Sequence, residues 1–408
     1  MNLNETLEMT TESISFCNRP LEQLRIQEAI SNNKSVLITG LRRIGKTELI
    51  KSSLKDVEKE KQSRVFYLDL YPTGNTTEFI RSLAKNTLGK LDNNHLKLMR
   101  ELANYFSYLR PVIQYDMITG TPLIDFNLDS NFQAEHTIEQ IFTYLNRQTF
   151  KVVLVFDELQ QMMSYKERST IQYLISNIRK SNNITCVFAG SDSQMMDQLK
   201  DGEFKSYFES LDNIYVPAFE HDVLRSYLID QFAAAKKVLT EDVADLLLDL
   251  CRRHTYYVHY FSNKLLSKSV KQPDTWMVER MMAEILKENE AVYYAYRNLL
   301  TVNQWELLKG IAKDKGARQV LSADFIRKNN LGSTSSVQTA LAALFEKELI
   351  YVEEGRFYVY DVFLSRWLEN YECKNYYPIL TEVMAIDPYT NLSLKKFTES
   401  LSSFSANV

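Results

Sequence analysis

The segment Gly40-Leu-Arg-Arg-Ile-Gly45-Lys46-Thr47 places two glycines, a lysine and a hydroxyl at the spacing GxxxxGK[ST]. After a strand and at the start of a helix, that pattern is a cradle for phosphate. The glycines let the backbone N–H groups of residues 40–47, those of Leu41, Arg42, Arg43 and Ile44 included, turn toward one anion, and the helix N-terminus adds its partial positive charge. Lys46 is then placed to reach the β and γ phosphates of ATP, and Thr47 to offer its hydroxyl to Mg²⁺. The alternative is a glycine turn beside a surface lysine. It has no use for the apolar run Ser35-Val-Leu-Ile-Thr39 directly before the motif or the helical pattern after it.

Such a loop needs an acidic partner at the end of a neighbouring strand, and Val152-Val-Leu-Val-Phe-Asp157-Glu158 has that form. Asp157 would hold the hydration shell of Mg²⁺, and Glu158 would polarise an attacking water. An acid directly after the metal ligand favours hydrolysis, which argues against a small-molecule kinase. A third strand ends Phe188-Ala-Gly190-Ser191-Asp192-Ser193, at the carboxyl edge where open α/β sheets bind ligands. Ser191 or Asp192 could sense the γ-phosphate or position water; Ser191 could equally cap the next helix.

These residues need a scaffold, and the chain supplies one. From about residue 20 to 217, five short apolar runs alternate with longer helical patterns, the signature of an α/β domain with a parallel five-stranded sheet of the P-loop type. The runs are Ser35–Thr39, Arg64–Asp69, Lys151–Asp157, Ile184–Ala189 and Asn213–Val216. A segment over about 91–136 carries its own hairpin, with Gly120 at the turn, and reads as an insertion on the sheet. Residues 1–19 form a lead-in, 218–297 a helical lid and 298–370 a winged helix, leaving 371–408 as a tail. In the lid, Thr240 is an expected N-cap. In the winged helix, Ser335-Ser-Val-Gln338 reads as a capping box before the apolar stripe Val337, Ala340, Leu341, Leu344 and Phe345.

Composition narrows the partners. The chain has 408 residues, with 48 Lys+Arg against 52 Asp+Glu and a formal charge of −4, so its surface as a whole is not a nucleic-acid footprint. Within 301–370 nine basic residues meet nine acidic ones, a net of zero, and the face of the expected recognition helix (Ser336, Gln338, Thr339, Ala342, Ala343, Glu346) has no basic side chain. DNA binding there is the weaker reading; packing against the ATPase domain or a protein partner is the stronger. Four scattered cysteines with no CxxC pair suggest neither disulfides nor a zinc site. On a helix His254 and His259 point about 140° apart, so with Cys251 they do not converge on a metal. Neither a leader peptide nor a 20-residue apolar span is legible, and the expectation is a cytoplasmic protein.

The motifs together resemble the archaeal-type ATPase family among the STAND P-loop NTPases, relatives of the origin-recognition initiator ATPases. The similarity covers about residues 16–368 and is carried by Phe16-Cys-Asn-Arg19-Pro20, by the double-arginine loop Gly40–Thr47, by Asp157-Glu158-Leu-Gln160, by Gly190-Ser191 and by Tyr360-Asp361-Val-Phe-Leu-Ser-Arg-Trp367. The resemblance implies a nucleotide-operated switch, binding ATP or ADP with Mg²⁺, with a helical lid and a winged helix. It makes Phe16 and Arg19 candidates for the adenine, although Phe16 also fits an ordinary core position. It makes His254 a candidate sensor of the nucleotide state, although Arg253-His254-Thr255-Tyr256-Tyr257 lacks the family's glycine and proline there. Near the fifth strand no arginine clearly matches the family's phosphate-sensing position, since Phe204-Lys-Ser-Tyr-Phe208 offers only Lys205. The functions implied are an ATP-dependent molecular switch or, alternatively, an ATP-licensed, initiator-like DNA-binding protein or a signalling scaffold.

Overall fold

The computed structural model describes residues 19–59, 63–92, 94–191 and 194–370. Phe16, Asp192 and the tail over 371–408 lie outside the described residues. The described chain falls into two compact units, one ending at Pro217 and the other beginning at Ala218.

The first unit opens with α1 (Pro20–Ser31), β1 (Val36–Gly40), α2 (Lys46–Lys59), β2 (Ser63–Asp69), α3 (Thr76–Asn86) and α4 (His95–Tyr105). It continues with β3 (Leu109–Tyr115), β4 (Pro122–Leu128), α5 (Ala134–Asn146), β5 (Lys151–Asp157), α6 (Ser169–Lys180), β6 (Ile184–Ser191), α7 (Gln194–Asp201), α8 (Lys205–Glu209) and β7 (Asp212–Tyr215). Five strands form one parallel sheet in the order β2-β5-β6-β1-β7. The central strands read as unbroken Val, Ile, Leu and Phe runs because helices cover both faces, and every residue of β1 and β6 is buried.

The order decides what meets at the carboxyl edge. β6 lies between β1, which leads into the phosphate loop, and β5, which ends at Asp157. Three motifs far apart in sequence therefore finish side by side. The hairpin β3–β4 is a separate antiparallel pair turning at Gly120, whose φ is +67°. Its Leu109, Ile124 and Phe126 share one core with Phe79 and Leu83 of α3 and Phe142 of α5.

The second unit is helical through α9 (His221–Ala234), α10 (Glu241–Leu250), α11 (Thr255–Ser267), α12 (Thr275–Glu288) and α13 (Glu290–Leu299). A winged helix follows: α14 (Val302–Lys313), α15 (Ala323–Lys328), α16 (Thr334–Glu346), β8 (Ile350–Glu353), β9 (Arg356–Val359) and α17 (Val362–Asn370). Ala317 pairs with Phe357 beside β9 and completes the small wing sheet.

Two sequence expectations need correction here. The cap of α16 is Ser333, whose side chain accepts from Ser336 N–H, so the helix starts before the expected box at Ser335. A Ser at N3 cannot reach back as Gln does; the capping box lies instead at Thr301 and Gln304 of α14. Ser336 and Ala343 are half-buried rather than on the open face, and Asn303 donates to Ser336 Oγ at 2.7 Å. Thr240 does occupy the N-cap position of α10, but its side chain caps no helix N–H.

α17 ties the winged helix to the helices before it. Asp361 accepts from Leu364 N–H at the start of α17, and Trp367 is buried among Tyr293, Tyr294 and Trp305. Arg366 donates to the carbonyls of Leu250 (3.0 Å) and Asp249 (2.6 Å) at the end of α10. Arg252 reaches the Val359 carbonyl at 3.2 Å.

Candidate functional site

The loop between β1 and α2 turns through residues 41–45, with Arg43 at φ +62° and Gly45 at φ +97°. Gly40 is glycine for a packing reason as well: a Cβ there would stand 2.5 Å from the Val216 carbonyl oxygen, a backbone atom with no freedom to retreat. Lys46 is buried and its Nζ donates to the carbonyls of Gly40 (3.0 Å) and Leu41 (2.9 Å), so the ammonium lies within the cradle. Thr47 Oγ1 donates to Asp157 Oδ2 at 2.7 Å.

Asp157 is only 4% exposed, and three donors hold it. Oδ2 accepts from Thr47 and from the phenol of Tyr67 on β2, while Oδ1 accepts from Glu158 N–H at 3.0 Å. Burial, reinforced by the Asp157 charge, pushes the Tyr67 phenol far above its ordinary pKa and keeps it protonated. Asp69 ends β2 directly opposite Asp157; burial raises its carboxyl pKa and Asp157 adds to that, against the Tyr71 N–H that lowers it. An alcohol and a carboxylate oxygen this close form a hard oxygen donor pair that fits Mg²⁺, which takes one or two carboxylates and completes its shell with phosphate and water. Among the described residues no three His, Cys, Asp or Glu side chains group to hold a metal by themselves.

Glu158 has left-handed backbone, φ +55°, an uncommon state for a residue with a side chain. Gln160 Nε2 donates to Glu158 Oε2, Ser191 Oγ lies 3.4 Å from the same oxygen, and Gln160 Oε1 accepts from Ser191 N–H at 3.3 Å. The acid is therefore held at the sheet edge by groups from its own turn and from β6. Ser191 is directed to Glu158. Gly190 makes this contact possible: a Cβ there would meet Met196 Cε at 1.9 Å and Gln160 Oε1 at 2.7 Å.

The structure thus brings together Gly40, Leu41, Arg42, Arg43, Ile44, Gly45, Lys46, Thr47, Asp157, Glu158 and Ser191. Arg42 lies 5.6 Å over the Tyr71 ring and Arg43 is exposed. Arg19 is buried in the same unit, donating to the Pro217 carbonyl at 2.8 Å and pairing with Glu22 at 3.4 Å; those contacts fasten α1 to the end of the sheet. His254 lies in the second unit at the N-cap of α11, 3% exposed, its ring edge-on to Tyr257. Neither Tyr67 nor a role for Gln160 follows from the sequence motifs. The signal for Tyr67 is the register that sets β2 beside β5, which a single sequence does not print.

Two parts of the chain match known domain families. Residues 16–213 match the model of an "ATPase domain predominantly from Archaea", and residues 291–370 that of a "Probable winged helix domain". No curated protein sequence matches the chain. Among solved structures, the Walker-type ATPase of Pyrococcus abyssi is similar at TM-score 0.59 and 16% identity, covering 89% of this chain and 98% of that one. The ORC2 protein of Aeropyrum pernix, in ADPNP-ADP complexes, gives 0.57 and 13%, covering 93% and 98%. The ORC1 protein of that organism, in complex with DNA, gives 0.51 and 14%, covering 92% and 97%. Residues 16–213 thus carry an archaeal-type ATPase domain of the P-loop class, and a winged helix lies C-terminal to it. Among the described residues no helix is long and apolar enough to cross a membrane.

Proposed function

We propose that the protein is a slow ATP hydrolase working as a STAND-type molecular switch. The observation that carries this reading is the Thr47–Asp157 hydrogen bond of 2.7 Å, which joins phosphate loop and acidic strand, with Glu158 held one residue on. Backbone N–H groups of residues 41–47 and Lys46 bind the phosphates. Thr47 and Asp157 would hold Mg²⁺, which would offset charge on the β and γ phosphates. Glu158 accepts a proton from the attacking water, and Gln160 and Ser191 fix the direction of its carboxylate.

Slow turnover is inferred from the lack of an arginine near the fifth strand that clearly matches the family's phosphate-sensing position; the segment offers only Lys205, which is exposed and 3.8 Å from Glu209. A lysine is a point charge and lacks the fork that clamps γ-oxygens, and an arginine finger contributes about 10³–10⁵ in rate. The responding element is the lid together with the winged helix, because Arg252 and Arg366 fasten the two. Thermal melts with MgATP test the site: the parent should gain stability and Lys46→Ala should gain none. An equal gain in both proteins would remove the loop from this role.

The winged helix favours a second reading, ATP-licensed DNA binding, since one structural relative is a DNA complex. Its zero net charge weighs against this and toward a protein partner. Fluorescence anisotropy with duplex DNA at low salt and MgATP separates the two; binding whose affinity falls steeply with salt would favour DNA.

A further inference from the structure

We infer that Tyr67 is a positioning residue for the metal-binding carboxylate, the element through which β2 sets the Mg²⁺ requirement of the site. This rests on the ATPase reading above and extends it to a residue outside both sequence motifs. Tyr67 pairs in register with Val155, two residues before Asp157, so its long side chain runs along the sheet toward the carboxyl edge and its phenol donates to Asp157 Oδ2. That oxygen also accepts from Thr47 Oγ1. Two hydroxyls, one from the phosphate loop and one from β2, thus converge on a single carboxylate oxygen. They leave that carboxylate, already 4% exposed, little freedom to rotate.

The ring has a second neighbour on α2. Lys51, one turn after Thr47 on α2, places its ammonium 5.7 Å from the ring centroid. Groups that orient a metal ligand through hydrogen bonds change metal affinity about 10–100-fold when removed. Loss of the phenol should therefore weaken the response to Mg²⁺ and leave the phosphate cradle alone, since the phenol donates to Asp157 while Lys46 is held by the carbonyls of Gly40 and Leu41.

The test is Tyr67→Phe in the full chain, which keeps the ring volume at a half-buried position. A fluorescent ATP analogue is titrated in EDTA and again across a Mg²⁺ series, with Lys46→Ala as control. Tyr67→Phe should bind within about twofold of the parent in EDTA and need about tenfold more Mg²⁺ for half-saturation. In an Asp157→Asn background the same change should shift the Mg²⁺ requirement less than about twofold. An unchanged Mg²⁺ requirement in Tyr67→Phe, or equal weakening with and without Mg²⁺, would overturn the positioning role while the ATPase reading stands on Lys46→Ala. Binding by Lys46→Ala equal to the parent's would overturn the ATPase reading itself.

Discussion

Ser191 Oγ stands 3.4 Å from Glu158 Oε2, so the end of β6 reaches the acid that follows β5. As the base proposed above, Glu158 would have to face the water it deprotonates, and Gln160 and Ser191 are the groups that hold its carboxylate. Glu158→Gln should bind MgATP as the parent does and lose about 10²–10⁴-fold in phosphate release, the range for a positioned general base. Ser191→Ala removes one long hydrogen bond and should cost about tenfold or less in the same assay. Parent-like rates in Glu158→Gln would exclude it as the base.

Gly190 tests the same arrangement from the backbone. An added Cβ would overlap Met196 Cε and press on Gln160 Oε1. The methionine can swing away, but Gln160 is buried and is hydrogen-bonded to both Glu158 and Ser191. Gly190→Ala should cost about 1–3 kcal/mol by overpacking, measured by urea unfolding, and should slow hydrolysis more than it weakens ATP binding. Equal loss of binding and rate would show that the whole sheet edge had moved.

How much of this was legible beforehand follows from where each signal is written. The phosphate loop and the Asp157-Glu158 pair are contiguous, so type and spacing carried them. The strands are contiguous too, and only their ends shifted by one or two residues, as with β6, which runs on to Ser191. Tyr67 is different: its partner is 90 residues away and depends on which strand lies beside β5. The expected cap of α16 failed for a local reason, because Ser333, Ser335 and Ser336 offer competing hydroxyls and only packing of Val337, Ala340 and Leu344 selects the frame. The family-like segment ending in Trp367 forms, in the fold, the helix α17 that fastens the winged helix to α10 and α13.

Arg366 should therefore matter to stability rather than to nucleotide chemistry. Its guanidinium caps two carbonyls at the end of α10 and pairs with Glu369 at 3.0 Å, with the side chain 15% exposed. Arg366→Ala leaves those carbonyls without that donor and should cost about 2–3 kcal/mol in urea unfolding. Arg366→Lys should recover only part, since an ammonium cannot fork across both carbonyls. Full recovery by lysine would reduce the contact to charge alone.

His259 gives the second unit a pH-dependent stability. Its ring stacks on Tyr227 at 6.2 Å, and its Nε2 is buried with no hydrogen-bond partner among the described residues. Burial disfavours the charged ring and lowers its pKa from 6.5 to about 4. The unfolded chain thus binds more protons between those values, and stability rises with pH across that window. Acidification from pH 6.5 toward 4 should remove a few kcal/mol, at about 1.4 kcal/mol for each tenfold change in proton affinity. His259→Leu keeps an apolar side chain in the site without a titrating ring. Urea unfolding at about pH 7, 6, 5 and 4 should show the parent losing stability faster than His259→Leu over that window. Parallel curves for the two proteins would mean that the imidazole reaches water when it is protonated.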